Sequence, residues 1–154
     1  MSAVEQNIIV KAPMFVVMEA LNDVESIPSW ATVTGTIDHV RGRGLGMTYE
    51  WHYSINKMSF SGKSEVLEQT KNTLITKTTG DVDSLWTITL TPAGKDSTAM
   101  RVVVEYSPPH IFIEVLADLV IQQMNDPKVA RENVNRFKEM VEERAKILDR
   151  AARS

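Results

Sequence analysis

Five clusters of turn-forming residues divide the stretch from Thr34 to Tyr106, and their spacing restricts the fold more than any other feature. They stand at Gly42-Arg43-Gly44, Ile55-Asn56-Lys57, Gln69 to Asn72, Gly80 to Asp83 and Pro92 to Asp96. Between them lie runs rich in Thr, Val, Ile, Tyr and Trp, which suit a pleated, half-buried surface. Loops this short join antiparallel neighbours, whereas parallel strands need a crossover of a dozen residues or more. The stretch reads as a meander of about six strands. One more strand is expected between Ala3 and Lys11, where Val4, Ile8, Ile9 and Val10 concentrate β-branched side chains.

The flanks change period. Pro13 suits a first helical position, where its missing donor is no loss, and Met14, Val17, Met18 and Leu21 follow at helical spacing. Asp23 is expected to cap a short second helical turn over Val24 to Ala31, limited by Pro28. Beyond the meander, Pro108 and Pro109 stop the last strand, and Ile111 to Met124 gives an apolar helical stretch. Asn125-Asp126-Pro127 interrupts it, with Asp126 as cap and Pro127 opening the next helix. Val134, Phe137, Val141 and Leu148 then form an apolar stripe. Arg131, Arg136, Lys138, Arg144, Lys146 and Arg150 fill the other faces, balanced by Glu132, Glu139, Glu142, Glu143 and Asp149. That balance predicts a solvated face laced with ion pairs, and Arg150 to Ser154 is expected to fray.

Composition excludes several classes. A chain of 154 residues with 43% hydrophobic and 24% charged residues suits a single globular domain over residues 1–154. A formal charge of −3 argues against nucleic-acid binding. With no cysteine, the chain has no disulfide, thiolate nucleophile or cysteine-ligated metal. No export signal and no membrane-spanning run is visible, which sets a cytoplasmic, soluble expectation. Three scattered histidines show no ligand spacing, so neither a metal site nor another cofactor is expected. Arg43-Gly44-Leu45-Gly46 does not open a helix after a strand, as a phosphate loop would, and its glycines read as turn residues.

Alternation along the strands shows where a site would lie. Leu45, Met47, Tyr49, Trp51 and Tyr53 alternate with Gly46, Thr48, Glu50, His52 and Ser54, so the aromatic set shares one face. Phe60, Ser64 and Val66 share a face of the next strand; Leu74, Thr76 and Thr78 do so in the one after. Trp86, Ile88 and Leu90 follow, then Met100, Val102, Val104 and Tyr106. Such a face is ordinarily packed core. Its hydroxyls, however, need partners, which suits a cavity with a few polar anchors. An empty apolar cavity of roughly 300 Å³ costs roughly 7 kcal/mol, comparable with a whole domain's stability. A pocket here is therefore expected to be small, collapsible, partly wet or occupied.

The order of these features resembles the START-like superfamily, also described as Bet v 1-like, SRPBCC or polyketide cyclase/dehydrase-like. The resemblance spans nearly the whole chain. It lies in IIVKAPMFVVMEALNDVESIPSW ending at Trp30, in Arg43-Gly44-Leu45-Gly46, in the meander, and in LADLVIQQMNDPKVARENVNRFKEMVEE. It implies an α+β helix-grip fold, with a curved seven-stranded antiparallel sheet around a long C-terminal helix and two short helices after the first strand. It also implies an elongated apolar cavity for lipids, polyketides or other apolar molecules, and in some members polyketide cyclisation or dehydration. The family has no universal catalytic motif, so the resemblance transfers a pocket and not a chemistry.

The residues expected to line that cavity are Tyr49, Trp51, Tyr53, Phe60, Trp86, Val102, Val104 and Tyr106 from the sheet. Phe112, Leu116, Phe137 and Met140 are expected from the helix, with its phase across Pro127 left open. Glu50 and His52 are close enough to act as a pair, but on the solvated face. Ile37 and Val40 indicate opposite faces for their strand, which leaves His39 either exposed or an inward proton shuttle. His110 reads as an exposed residue at a helix start. Binding of an apolar small molecule is the leading expectation. The rivals are a cyclase or dehydratase in the same cavity and a protein-interaction module with a filled core. On that last reading the apolar stretch Ile111 to Met124 would serve a partner protein or a homodimer.

Overall fold

The computed structural model describes residues 2–55, 57–107 and 126–153. The order is β1 (Ser2–Val10), α1 (Met14–Asn22), a 3-10 turn (Val24–Ser26) and α2 (Ile27–Trp30). Then come β2 (Thr34–Arg41), β3 (Thr48–Ile55), β4 (Met58–Gln69), β5 (Thr73–Gly80), β6 (Ser84–Pro92) and β7 (Thr98–Tyr106). The last element is α3 (Pro127–Arg153). The strands form one seven-stranded antiparallel sheet in the order β1-β7-β6-β5-β4-β3-β2, so the first strand joins the last and the meander closes the rest.

Turn chemistry at the β2–β3 corner explains one difference from simple alternation. Gly42, Gly44 and Gly46 all have positive φ, a region open to glycine at little cost. They coil the chain before β3 begins, so Leu45 sits in the turn and is exposed rather than extending the inward aromatic row. A second difference resolves His39. The β2–β3 register shifts between Asp38 and Arg41, and His39 there has φ 51°. The extra residue turns Ile37 and Val40 both against the core and sends His39 outward, where it meets Glu50. An inward proton shuttle at His39 is thereby excluded.

α3 is fastened across the inner sheet face by polar contacts at several points. Glu142 Oε2 accepts the Lys11 backbone N–H at 2.8 Å and the Lys138 ammonium at 2.6 Å. Lys138 also donates to the Ile9 carbonyl at 2.9 Å. Arg144 donates to Asp23 Oδ2 at 2.8 Å. Asp23 therefore ties α1 to α3 and makes no capping hydrogen bond to the turn after it; Pro28 sits inside the first turn of α2 instead of ending a helix. Asp126 does accept the Lys128 N–H at 2.9 Å at the start of α3. Val134, Phe137 and Val141 are buried, whereas Leu148 is 53% exposed. The helix continues to Arg153. No helix among the described residues is long and apolar enough to cross a membrane.

Two aromatic rings lie directly on glycines. A Cβ at Gly62 would come within 2.4 Å of the Trp51 ring and 2.2 Å of the Thr79 carbonyl. A Cβ at Gly35 would likewise come within 2.2 Å of Tyr53 Cδ1. Gly62→Ala is expected to destabilise by about 1–3 kcal/mol, because backbone and ring must both move. Urea unfolding followed by tryptophan fluorescence checks this.

Candidate ligand-binding site

The buried side chains form two clusters. The larger joins α1, α3 and the sheet through residues such as Val17, Met47, Leu90 and Val141. The smaller consists of Trp51, Phe60 and Val82, with Tyr53 and Tyr106 packed against it. A cavity of about 280 Å³ lies between them, roofed by α2 and the first turns of α3. It is near the low end of the range for small-molecule sites. If empty, it would cost about 7 kcal/mol at ~24 cal/mol per Å³.

Tyr49, Trp51, Tyr53, Phe60, Trp86, Val102, Val104 and Tyr106 all line this cavity, as does Phe137. Met140 does not; it is half-buried against the larger cluster. The reason is helix phase and position. The α3 residues facing the cavity are Val129, Ala130, Asn133, Val134 and Phe137, and one turn later the helix has passed onto the filled part of the core. Phe112 and Leu116 lie outside the described residues, as do His110 and the whole stretch Ile111 to Met124. Glu50 and His52 sit on the outer face, paired with His39 and Asp38 respectively. No group of three or more potential metal ligands occurs among the described residues.

Pairing register adds Ser84 and shows which of the inward hydroxyls adjoin one another. Tyr49 is opposite Ser64, Ser64 opposite Thr78, Thr78 opposite Ser84, and Ser84 opposite Tyr106. All five line the cavity and form a transverse row of hydroxyls across β3 to β7. The Tyr49 hydroxyl bonds to Ser64, and Ser64 Oγ lies 2.8 Å from Thr78 Oγ1. Ser84 Oγ accepts the Trp86 indole N–H at 3.0 Å. The α2–β2 link is held to the helix by Asn133, whose Oδ1 accepts the Thr32 N–H at 2.7 Å. Trp30 packs edge-on against Phe137, ring centroids 5.3 Å apart, while Trp51 stacks on Tyr53 at 5.4 Å.

Burial sets the protonation of this site. It pushes the Tyr106 phenol up to about 12 and raises Tyr53 as well. Tyr49 is raised by burial, partly countered by its bond to Ser64. A phenol whose pKa is higher folded than unfolded stabilises fully below its unfolded value of about 10, and that contribution is lost as pH rises through the folded value. These are the only three tyrosines in the chain. Ultraviolet titration should therefore show tyrosinate forming well above pH 10 in native protein and near about pH 10 in urea.

A curved antiparallel sheet, a spanning C-terminal helix and an apolar cavity between them define the START/Bet v 1-like class. Within that class, the sequence model of the polyketide cyclase / dehydrase and lipid transport family matches residues 1–142, and the chain belongs to that family. Among solved structures, the Zhui aromatase/cyclase of Streptomyces sp. R1128 is similar with a TM-score of 0.74 at 13% identity, over 93% of this chain and 94% of that one. A protein from Thermus thermophilus gives 0.73 at 18% identity, over 91% and 97%. A START superfamily protein from Mycobacterium smegmatis gives 0.64 at 17% identity, over 95% and 98%. No curated protein matches the chain in sequence.

Proposed function

We propose that this protein binds an apolar small molecule in the cavity between the sheet and α3. The observation that carries this reading is the cavity itself: about 280 Å³ lined by aliphatic, aromatic and hydroxyl side chains. Its family is described by lipid transport as well as cyclase chemistry, which agrees with a carrier role. An interaction module with a filled core fits the cavity poorly.

A second reading, cyclisation or dehydration of a polyketide-like chain, is favoured by the hydroxyl row, which could orient keto groups. In that case Tyr49→Phe or Tyr53→Phe abolishes turnover while binding survives. Against it, tyrosines are the only titratable side chains among the described lining residues, and all three are held protonated near neutral pH. Native mass spectrometry of protein purified from cells, with organic extraction of whatever is bound, tests the binding role. A defined hydrophobic compound retained reproducibly supports it. A clean ligand-free mass together with no uptake of added apolar compounds overturns it.

A further inference from the structure

Every second link of the meander falls at one end of the sheet. The β2–β3, β4–β5 and β6–β7 turns lie there, β1 ends there and α1 begins there. Hydrogen bonds stitch these pieces together. Gly46 N–H donates to the Val66 carbonyl at 3.0 Å, Leu90 N–H to the Asn72 carbonyl at 2.8 Å, and Thr98 Oγ1 to the Ala12 carbonyl at 2.7 Å. Arg43 reaches Glu19 Oε1 at 3.1 Å and ties the first of these turns to α1. α3 arrives at the same end with Glu142, which accepts the Lys11 N–H.

The six large apolar side chains left exposed among the described residues all belong to elements at this end. Ile9 lies one residue before the close of β1, and Phe15, 68% exposed, stands in the first turn of α1. Leu45 is 67% exposed, and with Leu67 it flanks the Gly46–Val66 hydrogen bond. Ile147 and Leu148 follow within two turns of Glu142. Charge has the same polarity. Residues 41–46, 69–72 and 92–97 carry Arg41, Arg43, Lys71 and Lys95 against one acid, Asp96, and all five are exposed. Of the acids flanking these turns, Glu19 is held by Arg43, which leaves Glu68. The two turns at the other end, 55–57 and 80–83, carry Lys57 against Asp81 and Asp83. A chain of formal charge −3 therefore gathers its unbalanced cations where its apolar side chains project.

A protein interface has a contiguous apolar core from which charged residues, Lys included, are depleted. Here single apolar side chains alternate with cations. That arrangement matches a bilayer surface, where apolar tips enter the headgroup layer while Lys and Arg meet lipid anions. We propose that this end of the molecule docks on anionic bilayers. Phe15 and Leu45 enter the headgroup layer, and Arg41, Arg43, Lys71 and Lys95 face the lipid phosphates. Docking of this kind goes beyond ligand binding and does not depend on what the cavity holds.

The chain has no cysteine, so a single introduced one can carry an environment-sensitive fluorophore. Leu45→Cys and Thr34→Cys, the latter exposed at the opposite end of the sheet, are labelled with NBD. Each is mixed with vesicles of phosphatidylcholine alone or of phosphatidylcholine and phosphatidylglycerol in equal amounts. On the mixed vesicles, emission from position 45 should brighten and shift to the blue, while position 34 stays as in buffer. Co-sedimentation of the unlabelled chain should be about tenfold or more stronger on the mixed vesicles. It should be lost at about 1 M salt, where the screening length is about 3 Å. Lys71→Gln and Lys95→Gln should each weaken binding about fivefold, and Lys57→Gln less than about twofold. Leu45→Ser should weaken it about fivefold or more. Absence of binding to the mixed vesicles overturns the proposal, as does equal binding to both vesicle types or an equal response at positions 34 and 45. A solution dimer that Leu45→Ser dissociates would assign the face to a second copy and overturn it as well. None of these results bears on the cavity, whose occupancy the extraction experiment reads separately.

Discussion

Val104→Phe should raise the melting temperature by roughly 2–8 °C and weaken ligand uptake about a hundredfold or more. Val104 lies opposite Trp86 and Val4 and is buried against the cavity. A phenyl ring there extends into open space and adds apolar burial worth about 1–2 kcal/mol. For a domain this size each kcal/mol moves the midpoint by about 2–4 °C. In a solid core the same change would overpack and cost about 1–3 kcal/mol. The sign of the shift therefore separates a hollow from a filled interior, and calorimetry with and without an apolar probe reads both effects. A lower melting temperature with unchanged uptake would refute the assignment of the cavity.

Phe137→Ala is expected to cost about 3–5 kcal/mol, lowering the melting temperature by on the order of 10 °C. Phe137 is 2% exposed, lines the cavity and supports Trp30 edge-on. Removing its ring enlarges the void and takes away the contact that holds α2 against α3. A cavity-binding compound should restore part of the loss, since whatever binds only the folded state stabilises it by mass action. Met140→Ala, at a half-buried position off the cavity, should cost clearly less. Equal losses at the two positions would show that Phe137 has no special place in the site.

Period-two alternation carries most of the sheet, because one residue of slip would turn every buried side chain outward. Tyr49 and Trp51 on β3, with Met47 just before it, and Met100, Val102 and Val104 on β7 follow it and are buried. Alternation fails where an extra residue enters a strand: opposite signals from Ile37 and Val40 are what a bulge at His39 produces. It also fails at Leu45, where the glycine turn is still running when the hydrophobic pattern begins. Met140 and Leu148 share a helical face with buried residues, yet period says nothing about where the underlying cavity or sheet ends. Ser64 and Thr78 are legible as inward residues, but the row they form with Ser84 is not. Their significance comes from lateral register, which joins positions on three strands and depends on every intervening turn.

The pairing of β1 with β7 runs from Ser2↔Tyr106 to Val10↔Thr98. During synthesis the opening segment must wait for a partner made almost ninety residues later, a delay on the order of 5–20 s at ordinary translation rates. Throughout that interval its backbone is a template on which another nascent chain can zip. Fragments truncated before β7 should accordingly self-associate, and pulse-labelled hydrogen exchange should find the β1–β7 amides protected last. Sequence-distant closure of this kind makes the kinetics of maturation, more than equilibrium strength, the vulnerable step for this polypeptide.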